Sequence, residues 1–330
     1  MRIEQSSVYH TELISNDNFD LYKTGKYQKY RRNWKEYPES HYVSDFPLNI
    51  DIITTRDCNL QCIMCSRTAR LKRGEENERG NMSMDVFRRV ADEVRGGKVP
   101  ALHLTADGEP LLNPDIEEMI VYARDAGFID VFMHSNAVLL DETRSERILD
   151  AEPHRIIFSF ESPDKKVYER LRVGACFESV LENIKSFASL RDTKSKQYPI
   201  IRINMVLLQS NVDRKEAYVN LFSSIADEIG FSKYLDPWNG DASKDLSVKE
   251  GQREWRDFIC PEPWQRLVID VNGDVYPCIP MVLAHRLGNV YETSLKDMWN
   301  GMKVNELRDH LQNRNINTLC RICSCGVKWE

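Results

Sequence analysis

Between residues 48 and 237 the chain repeats one unit: a short apolar run, a turn, then an amphipathic helical stretch. The apolar runs are "FPLNIDIIT" (46–54), "ALHLT" (101–105), "IDVFMHS" (129–135), "RIIFSF" (155–160), "IIRINMVLL" (200–208) and "SKYLDP" (232–237). Helical stretches separate them. "MSMDVFRRVADEV" is capped by Ser83 and stopped by Gly96-Gly97, "NPDIEEMIVYARDAG" has Asn113 as cap and Pro114 behind it, and "SPDKKVYERLRVG" opens on Ser-Pro. "DETRSERILDA" and "RKEAYVNLFSSIADEIG" (214–230) complete the series. Strict alternation of strand and helix predicts a parallel sheet joined by right-handed crossovers. A closed eight-unit barrel takes about 250 residues, so six units in about 190 predict an α/β fold with a partial (β/α)6 barrel.

The flanks read differently. Residues 1–45 are polar and aromatic without a clear period, and are expected to form an N-terminal extension to a barrel spanning 46–237. Residues 238–252 are polar and read as a linker, followed by a small cysteine-bearing module over 253–330.

Nine cysteines are present, and eight fall in two groups, near 58–65 and within 260–325. Clustered thiols in a reducing compartment read as metal ligands more readily than as disulfides. Cys58, Cys62 and Cys65 follow the first strand directly, at the C-terminal end of a parallel sheet, where such folds place their sites. A structural zinc site needs four ligands and is closed, whereas three thiolates on one loop leave a coordination position open. A zinc loop borrowing a distant fourth ligand is the plain alternative.

The Cys58-x3-Cys62-x2-Cys65 spacing resembles the signature of the radical S-adenosylmethionine (SAM) superfamily. In that family three thiolates hold a [4Fe–4S] cluster whose fourth iron binds SAM, a chemistry suited to cysteine ligation. The next loops extend the resemblance. "LTADGEPLLNPD" is similar to the Gly-Gly-Glu-Pro motif that binds the SAM amino group, and makes Gly108 and Glu109 the matching positions; Asp107 stands where the first glycine is usual. "HSNAVLL" resembles the third-strand Thr-Asn-Gly segment, giving Asn136, with Ala137 in place of glycine. "FSFESP" resembles the fourth-strand segment near the SAM ribose, giving Ser159 and Glu161. Ile63 matches the position that covers the adenine. Arg202 on the fifth strand either reaches the SAM carboxylate or lines the barrel paired with Glu161.

The second cysteine group resembles the C-terminal SPASM/twitch module of many radical SAM enzymes. Full SPASM domains carry seven cysteines and two auxiliary clusters; here there are five, and the C-x2-C-x5-C-x3-C run is missing. The shorter twitch form implies one auxiliary [4Fe–4S] cluster on Cys260, Cys278, Cys320 and Cys323, with Cys325 spare or an alternative ligand. A zinc knuckle is the alternative. "VIDVNGDVYPC" reads as a β-hairpin turning at Asn272-Gly273, which would bring Cys260 and Cys278 together.

Two features stand apart. Cys176 lies on a loop after the fourth strand; it is either a hydrogen-atom donor or a small buried residue at a helix start. "YKTGKYQKYRRNWK" (22–35) interleaves cations with aromatics, which suits either base stacking on RNA or a helix capping the bottom or open side of the barrel with its lysines in solvent. The formal net charge of −6 disfavours nucleic acid as a partner. The absence of a signal-like apolar segment and of any apolar run of about 18 residues predicts a cytoplasmic protein with no membrane partner.

The resemblance implies an enzyme with SAM and two [4Fe–4S] clusters, fed by an electron donor such as flavodoxin or ferredoxin. One-auxiliary-cluster enzymes of this size resemble the butirosin-pathway aminocyclitol dehydrogenase and the radical epimerases of antibiotic pathways. The expected reaction is hydrogen abstraction from a carbinol C–H of a small carbohydrate or aminocyclitol-like substrate, giving oxidation or epimerisation. Peptide modification, the commonest role of larger SPASM relatives, is the alternative, although the 45-residue extension is short for a leader-binding domain.

Overall fold

The structure, a computed structural model, describes residues 2–4, 10–15, 19–75, 79–234, 246–248, 253–254, 260–282, 284–313, 320 and 327–328. Strands β1 (Arg2–Glu4) and β2 (His10–Ser15) pair antiparallel and lead to α1 (Asp20–Lys23) and α2 (Gly25–Ser40). The alternating region follows as β3 (Asn49–Ile52), α3 (Ser66–Arg73), α4 (Met84–Glu93), β4 (Ala101–His103), α5 (Ile116–Ala126) and β5 (Asp130–Ser135). It continues with α6 (Glu142–Ala151), β6 (Arg155–Ser159), α7 (Lys165–Leu171), α8 (Phe177–Thr193), β7 (Ile200–Leu207), α9 (Lys215–Phe222) and β8 (Glu228–Lys233). Strands β3 to β8 pair in sequence order and all parallel, as the alternation predicts.

The flanks join this sheet instead of hanging from it. β2 adds antiparallel to β8 at one edge. At the other edge, past β9 (Arg253–Glu254) and α10 (Glu262–Gln265), β10 (Arg266–Ile269) pairs parallel with β3. β11 (Asp274–Tyr276) and β12 (Gly288–Asn289) extend the sheet antiparallel; α11 (Leu295–Trp299) and α12 (Met302–Gln312) pack below, and β13 (Val327–Lys328) pairs with β9. Apart from residues 246–248, the 238–252 linker reading lies outside the described residues.

Side-chain alternation sorts the two faces of the sheet. Ile50, Ile52, Leu102, Val131, Met133, Ile156, Phe158, Ile201 and Ile203 are buried with Phe87, Ile120 and Phe187 of the helices, forming the outer core. The other face is concave. Tyr27, Tyr30, Trp34 and Tyr37 recur on one side of α2, and this side packs on Leu48, Ala101 and Ile200, at the N-terminal ends of strands from β3 to β7. One helix reaches all of these strand ends only because the sheet curls around it. Helix α2 is thus the floor of the barrel, capped by Thr24 Oγ1, which accepts from Tyr27 N at 3.2 Å. Lys26, Lys29 and Lys35 face solvent, and the aromatic rings that RNA stacking would need are the ones packed into the floor.

The reading of one helix over 214–230 is corrected. α9 ends at Phe222, and the sixth parallel strand starts at Glu228. Asp227 enforces the break by pairing with Arg191 and accepting Ile201 N at 2.7 Å, which pins the chain beside the start of β7. Asn113 does not cap α5 as expected. Asp115 holds that position, and Asn113 instead bonds Thr54 O at 2.7 Å and Met82 O at 3.2 Å, stapling the loop after β3.

Tyr30 is 4% exposed at the centre of the floor. Tyr30→Ala is expected to lower the unfolding free energy by about 3 kcal/mol in a denaturant titration. Lys29→Ala on the opposite face should change it by no more than about 0.5 kcal/mol. A helix held outside the fold would respond to neither.

Candidate functional site

The loop after β3 runs through Cys58, Cys62 and Cys65 into α3, and the surrounding loops hold it by backbone bonds. Glu109 N donates to Asp57 O at 2.8 Å, Gln61 N to Val173 O at 2.9 Å, and Ile63 N to Leu171 O at 3.0 Å. All three cysteines are partly exposed and none is in a disulfide. Burial pushes the Cys62 thiol up to about 12, and Arg172 opposes that shift. Cys58 is raised too, again by burial, and feels Cys65. Among the described residues, Glu169, Cys176 and Glu178 converge to within 4.8 Å of one another, as one metal ion requires; the three loop thiols stand further apart. Three thiols carried by one loop are a donor set that an iron–sulfur cluster takes from cysteine, with one position left for another ligand.

Gly108 is wedged against this loop. Its φ is +69°, and a Cβ there would lie 2.2 Å from Thr55 O and 2.7 Å from Asp57 O. The neighbouring Glu109 is 2% exposed and accepts three hydrogen bonds, from Ser135 Oγ and Asn136 N at 2.8 Å each and from Leu111 N at 3.2 Å. Burial raises its carboxyl above the usual range, and those bonds moderate the shift. Asn136 Nδ2 then donates to Asn59 Oδ1 at 2.8 Å, tying the third-strand segment to the cysteine loop. Ala137, where the resembled motif has glycine, keeps a left-handed φ of +57°. Asp107, where the other glycine is usual, forms an ion pair with Arg70 of α3.

The structure revises three expectations. Glu161 is buried, and its partner is Arg172, with Nη2 to Oε1 at 2.9 Å, not Arg202. Arg202 stands in the first half of β7 and bonds Glu228 Oε2 at 2.7 Å, while Tyr22 of the floor bonds Glu228 Oε1 at 2.6 Å. Its guanidinium is committed inside the barrel, away from the loops at the strand ends. Cys176 is exposed, not buried; it sits at the N-cap of α8 with Sγ 3.6 Å from Glu178 Oε2. Ser159, the last residue of β6, is half-buried, and Ile63 packs on an apolar patch with Leu171, Leu208 and Tyr234.

Two groups carried no signal in the sequence beyond residue type. Arg56 is fully buried, and Asp270, at the end of β10, receives its guanidinium as a two-pronged pair with Nε to Oδ1 at 3.0 Å. Arg67 of α3 donates to Arg56 O at 2.6 Å. In the C-terminal region, Cys260, Cys278 and Cys320 gather on one apolar cluster with Trp264, Leu307 and Leu311. The predicted hairpin forms between β10 and β11, with Gly273 at a φ of +81°. Cys323 and Cys325 lie outside the described residues. Among the described residues no helix is long and apolar enough to cross a membrane.

Removing one partner of a buried ion pair strands the other. Arg56→Met is expected to cost about 3–5 kcal/mol in denaturant unfolding, whereas Arg79→Met, which breaks the exposed contact to Asp57, should cost less than about 1 kcal/mol. Gly108→Ala should lower the iron retained after anaerobic reconstitution, read by iron analysis and visible absorbance, because the new methyl group displaces the backbone of the cysteine loop.

Comparison with known proteins agrees with this geometry. The profile of the radical SAM superfamily matches residues 52–210, and that of the SPASM iron–sulfur cluster-binding domain matches 260–325, together well over half of the chain. A probable GTP 3′,8-cyclase of Methanococcus maripaludis is 26% identical over 179 residues, 54% of each chain. An AdoMet-dependent heme synthase of Methanosarcina barkeri is 26% identical over 207 residues, 60% of this chain and 54% of its own. The chain thus spans about half the length of the curated relatives it matches. Among solved structures, Streptococcus suis SuiB bound to its precursor peptide SuiA superposes with a TM-score of 0.63 at 16% identity, over 91% of this chain and 74% of that one. BtrN in complex with AdoMet and 2-DOIA gives 0.54 at 15%, over 86% and 94%. Native anSMEcpe with bound AdoMet gives 0.61 at 17%, over 84% and 89%. The chain belongs to the radical SAM superfamily and carries a SPASM-type iron–sulfur module, a membership that brings SAM and [4Fe–4S] clusters as its cofactors.

Proposed function

We propose that this enzyme removes a hydrogen atom from a carbinol carbon of a small carbohydrate or aminocyclitol-like substrate, with oxidation or epimerisation as the outcome. The observation that carries the reading is the polarity of the concave barrel face below the cysteine loop. His134, Ser159, Asn204 and Ser232 lie there on four strands, and His134, Ser159 and Ser232 are only half-buried. Such a lining suits a hydroxyl-rich molecule better than an apolar side chain. That BtrN, with a similar fold, was solved with AdoMet and 2-DOIA supports the same class.

In this reading Cys58, Cys62 and Cys65 hold the first cluster, and Cys260, Cys278 and Cys320, with Cys323, hold the auxiliary one. When bound, the first cluster and SAM supply a 5′-deoxyadenosyl radical by one-electron cleavage of SAM, with flavodoxin or ferredoxin as the electron source. The protein's own residues position and shield. The Gly108 and Glu109 backbone and Asn136 present polar groups to SAM, Ile63 covers it with apolar surface, and Ser159 and the Glu161–Arg172 pair border the opposite wall. By proximity and exclusion of water these residues would hold a single substrate carbon where hydrogen is abstracted.

The test uses anaerobically reconstituted protein with SAM, dithionite and host extract split into small-molecule and protease-sensitive macromolecular fractions. Formation of 5′-deoxyadenosine is expected to rise with the small-molecule fraction; a rise confined to the macromolecular fraction would establish peptide modification instead. Repeating the assay in D2O with Cys176→Ala separates the outcomes. Deuterium retained at carbon and lost with the thiol means epimerisation, and a carbonyl product without it means oxidation.

A further inference from the structure

Trp264 and Trp299, both in the C-terminal region, are fully buried, and their indole N–H groups fare differently. Trp299 of α11 donates Nε1–H to Ser44 O at 2.8 Å. Trp264 of α10 has no acceptor for Nε1 among the described residues. The indole is held firmly all the same. His41 lies tilted against it with ring centroids 5.5 Å apart, and it shares an apolar cluster with Leu307 and Leu311 of α12. Cys278 belongs to that cluster, and Cys260, Cys320 and Val43 pack on it. An N–H taken out of water is costly unless something accepts it, and sulfur is the acceptor chemistry this cluster brings.

Arg308 of α12 presents the same situation as a charge. It is buried, with Nε donating to Pro263 O at 2.9 Å and Nη1 to Trp299 O at 3.0 Å and Asn305 Oδ1 at 2.7 Å. Its guanidinium also lies over the Trp299 ring, 4.4 Å from the centroid. All of these partners are neutral, and Nη2 has no acceptor among the described residues. Arg56, Arg155, Arg172 and Arg202 are likewise buried, and each meets a carboxylate. Burial alone pulls the Arg308 guanidinium down to about 10, so it stays charged at neutral pH with no carboxylate to offset it. Arg308 follows Leu307 on α12 and binds the carbonyl that precedes Trp264, so the guanidinium is tied to the same wall as the indole. A [4Fe–4S] core on four thiolates is anionic, and its sulfurs accept hydrogen bonds. An orphaned N–H and an unbalanced cation beside the thiols fit such a group.

We propose that Trp264 Nε1 donates a hydrogen bond to a sulfur of the auxiliary cluster, that Arg308 supplies that cluster's counter-charge, and that the two together raise its reduction potential. The inference rests on the auxiliary-cluster assignment above and goes beyond it to two residues that are not ligands. Reduction makes the cluster more negative, so an N–H dipole and a nearby cation both favour the reduced form. Cys278 and Trp264 are out of water, and a low local dielectric strengthens both effects.

The experiment uses the full chain carrying Cys58→Ala, Cys62→Ala and Cys65→Ala, reconstituted anaerobically so that one cluster remains. About four irons per chain are expected. No retained iron, or zinc in its place, overturns the auxiliary-cluster assignment and this inference with it. On the retained cluster, a redox titration followed by EPR compares Trp264→Phe with the parent chain. Loss of the N–H is expected to shift the reduction equilibrium at least about tenfold toward the oxidised form, a potential about 59 mV lower for one electron. β-Benzothienylalanine at position 264 keeps both rings without the N–H, and should give the same shift whether or not Trp264→Phe holds iron. Arg308→Met should move the equilibrium in the same direction, and Arg308→Lys should restore most of it. An unmoved potential with iron retained overturns the inference and leaves the cluster assignment standing. A further measurement needs no change at 264. With tryptophan labelled at the indole nitrogen by its heavy isotope, pulsed EPR of the reduced cluster should show coupling to an indole nitrogen, and its absence overturns the hydrogen bond.

Discussion

The buried pair between Arg56 and Asp270 holds together parts of the chain that are far apart in sequence. Both charges are out of water, so neither tolerates the loss of the other. Arg56 belongs to the loop that carries the first three cysteines, and Asp270 ends the strand that opens the C-terminal sheet extension. Arg67 then reads the carbonyl of Arg56 from α3. One two-pronged contact therefore sets the cysteine loop, the helix after it and the second cysteine region in a common frame.

Other buried carboxylates solve the same problem by other means. Glu109 relies on backbone N–H groups and a hydroxyl, which leaves its charge costly but its position tightly defined. Glu161 takes the guanidinium of Arg172, and Asp51 takes Arg266 together with an imidazole. Directional N–H donors fix where a loop stands, and guanidinium pairs stabilise charge. Glu109 and Glu161 stand by the loops at the strand ends, whereas Asp51 lies deeper, beside an arginine that stacks on Trp34 of the floor helix.

Much of this was legible in the sequence, for reasons that particular residues make plain. Strands buried on the helix side, such as "RIIFSF", need continuous apolar stretches, and the six parallel strands follow from them. The cysteine spacing and the Gly108-Glu109 turn are local, and so is Asn272-Gly273. What was hidden is non-local. Arg56 and Asp270 are 214 residues apart, and nothing in either neighbourhood announces the other. Phe222, Ile225 and Ile229 keep a helical rhythm across a segment that Asp227 breaks by bonding to β7 and Arg191. Arg202 was the guanidinium expected beside Glu161, and the partner the fold supplies is Arg172, which no spacing pointed to. The aromatic N-terminal helix admitted two uses until the floor showed where its rings go.

The parallel pairing of β10 with β3 bears on how the protein stays soluble while it folds. In its absence β3 would be the last strand of the barrel sheet, a row of unpaired N–H and C=O groups beside Ile50 and Ile52, and open to strands of other chains. The segment that brings the second set of cysteines thus also works as a guard on a sticky edge. A shortened chain lacking it would leave that edge bare and face aggregation before any question of catalysis arose.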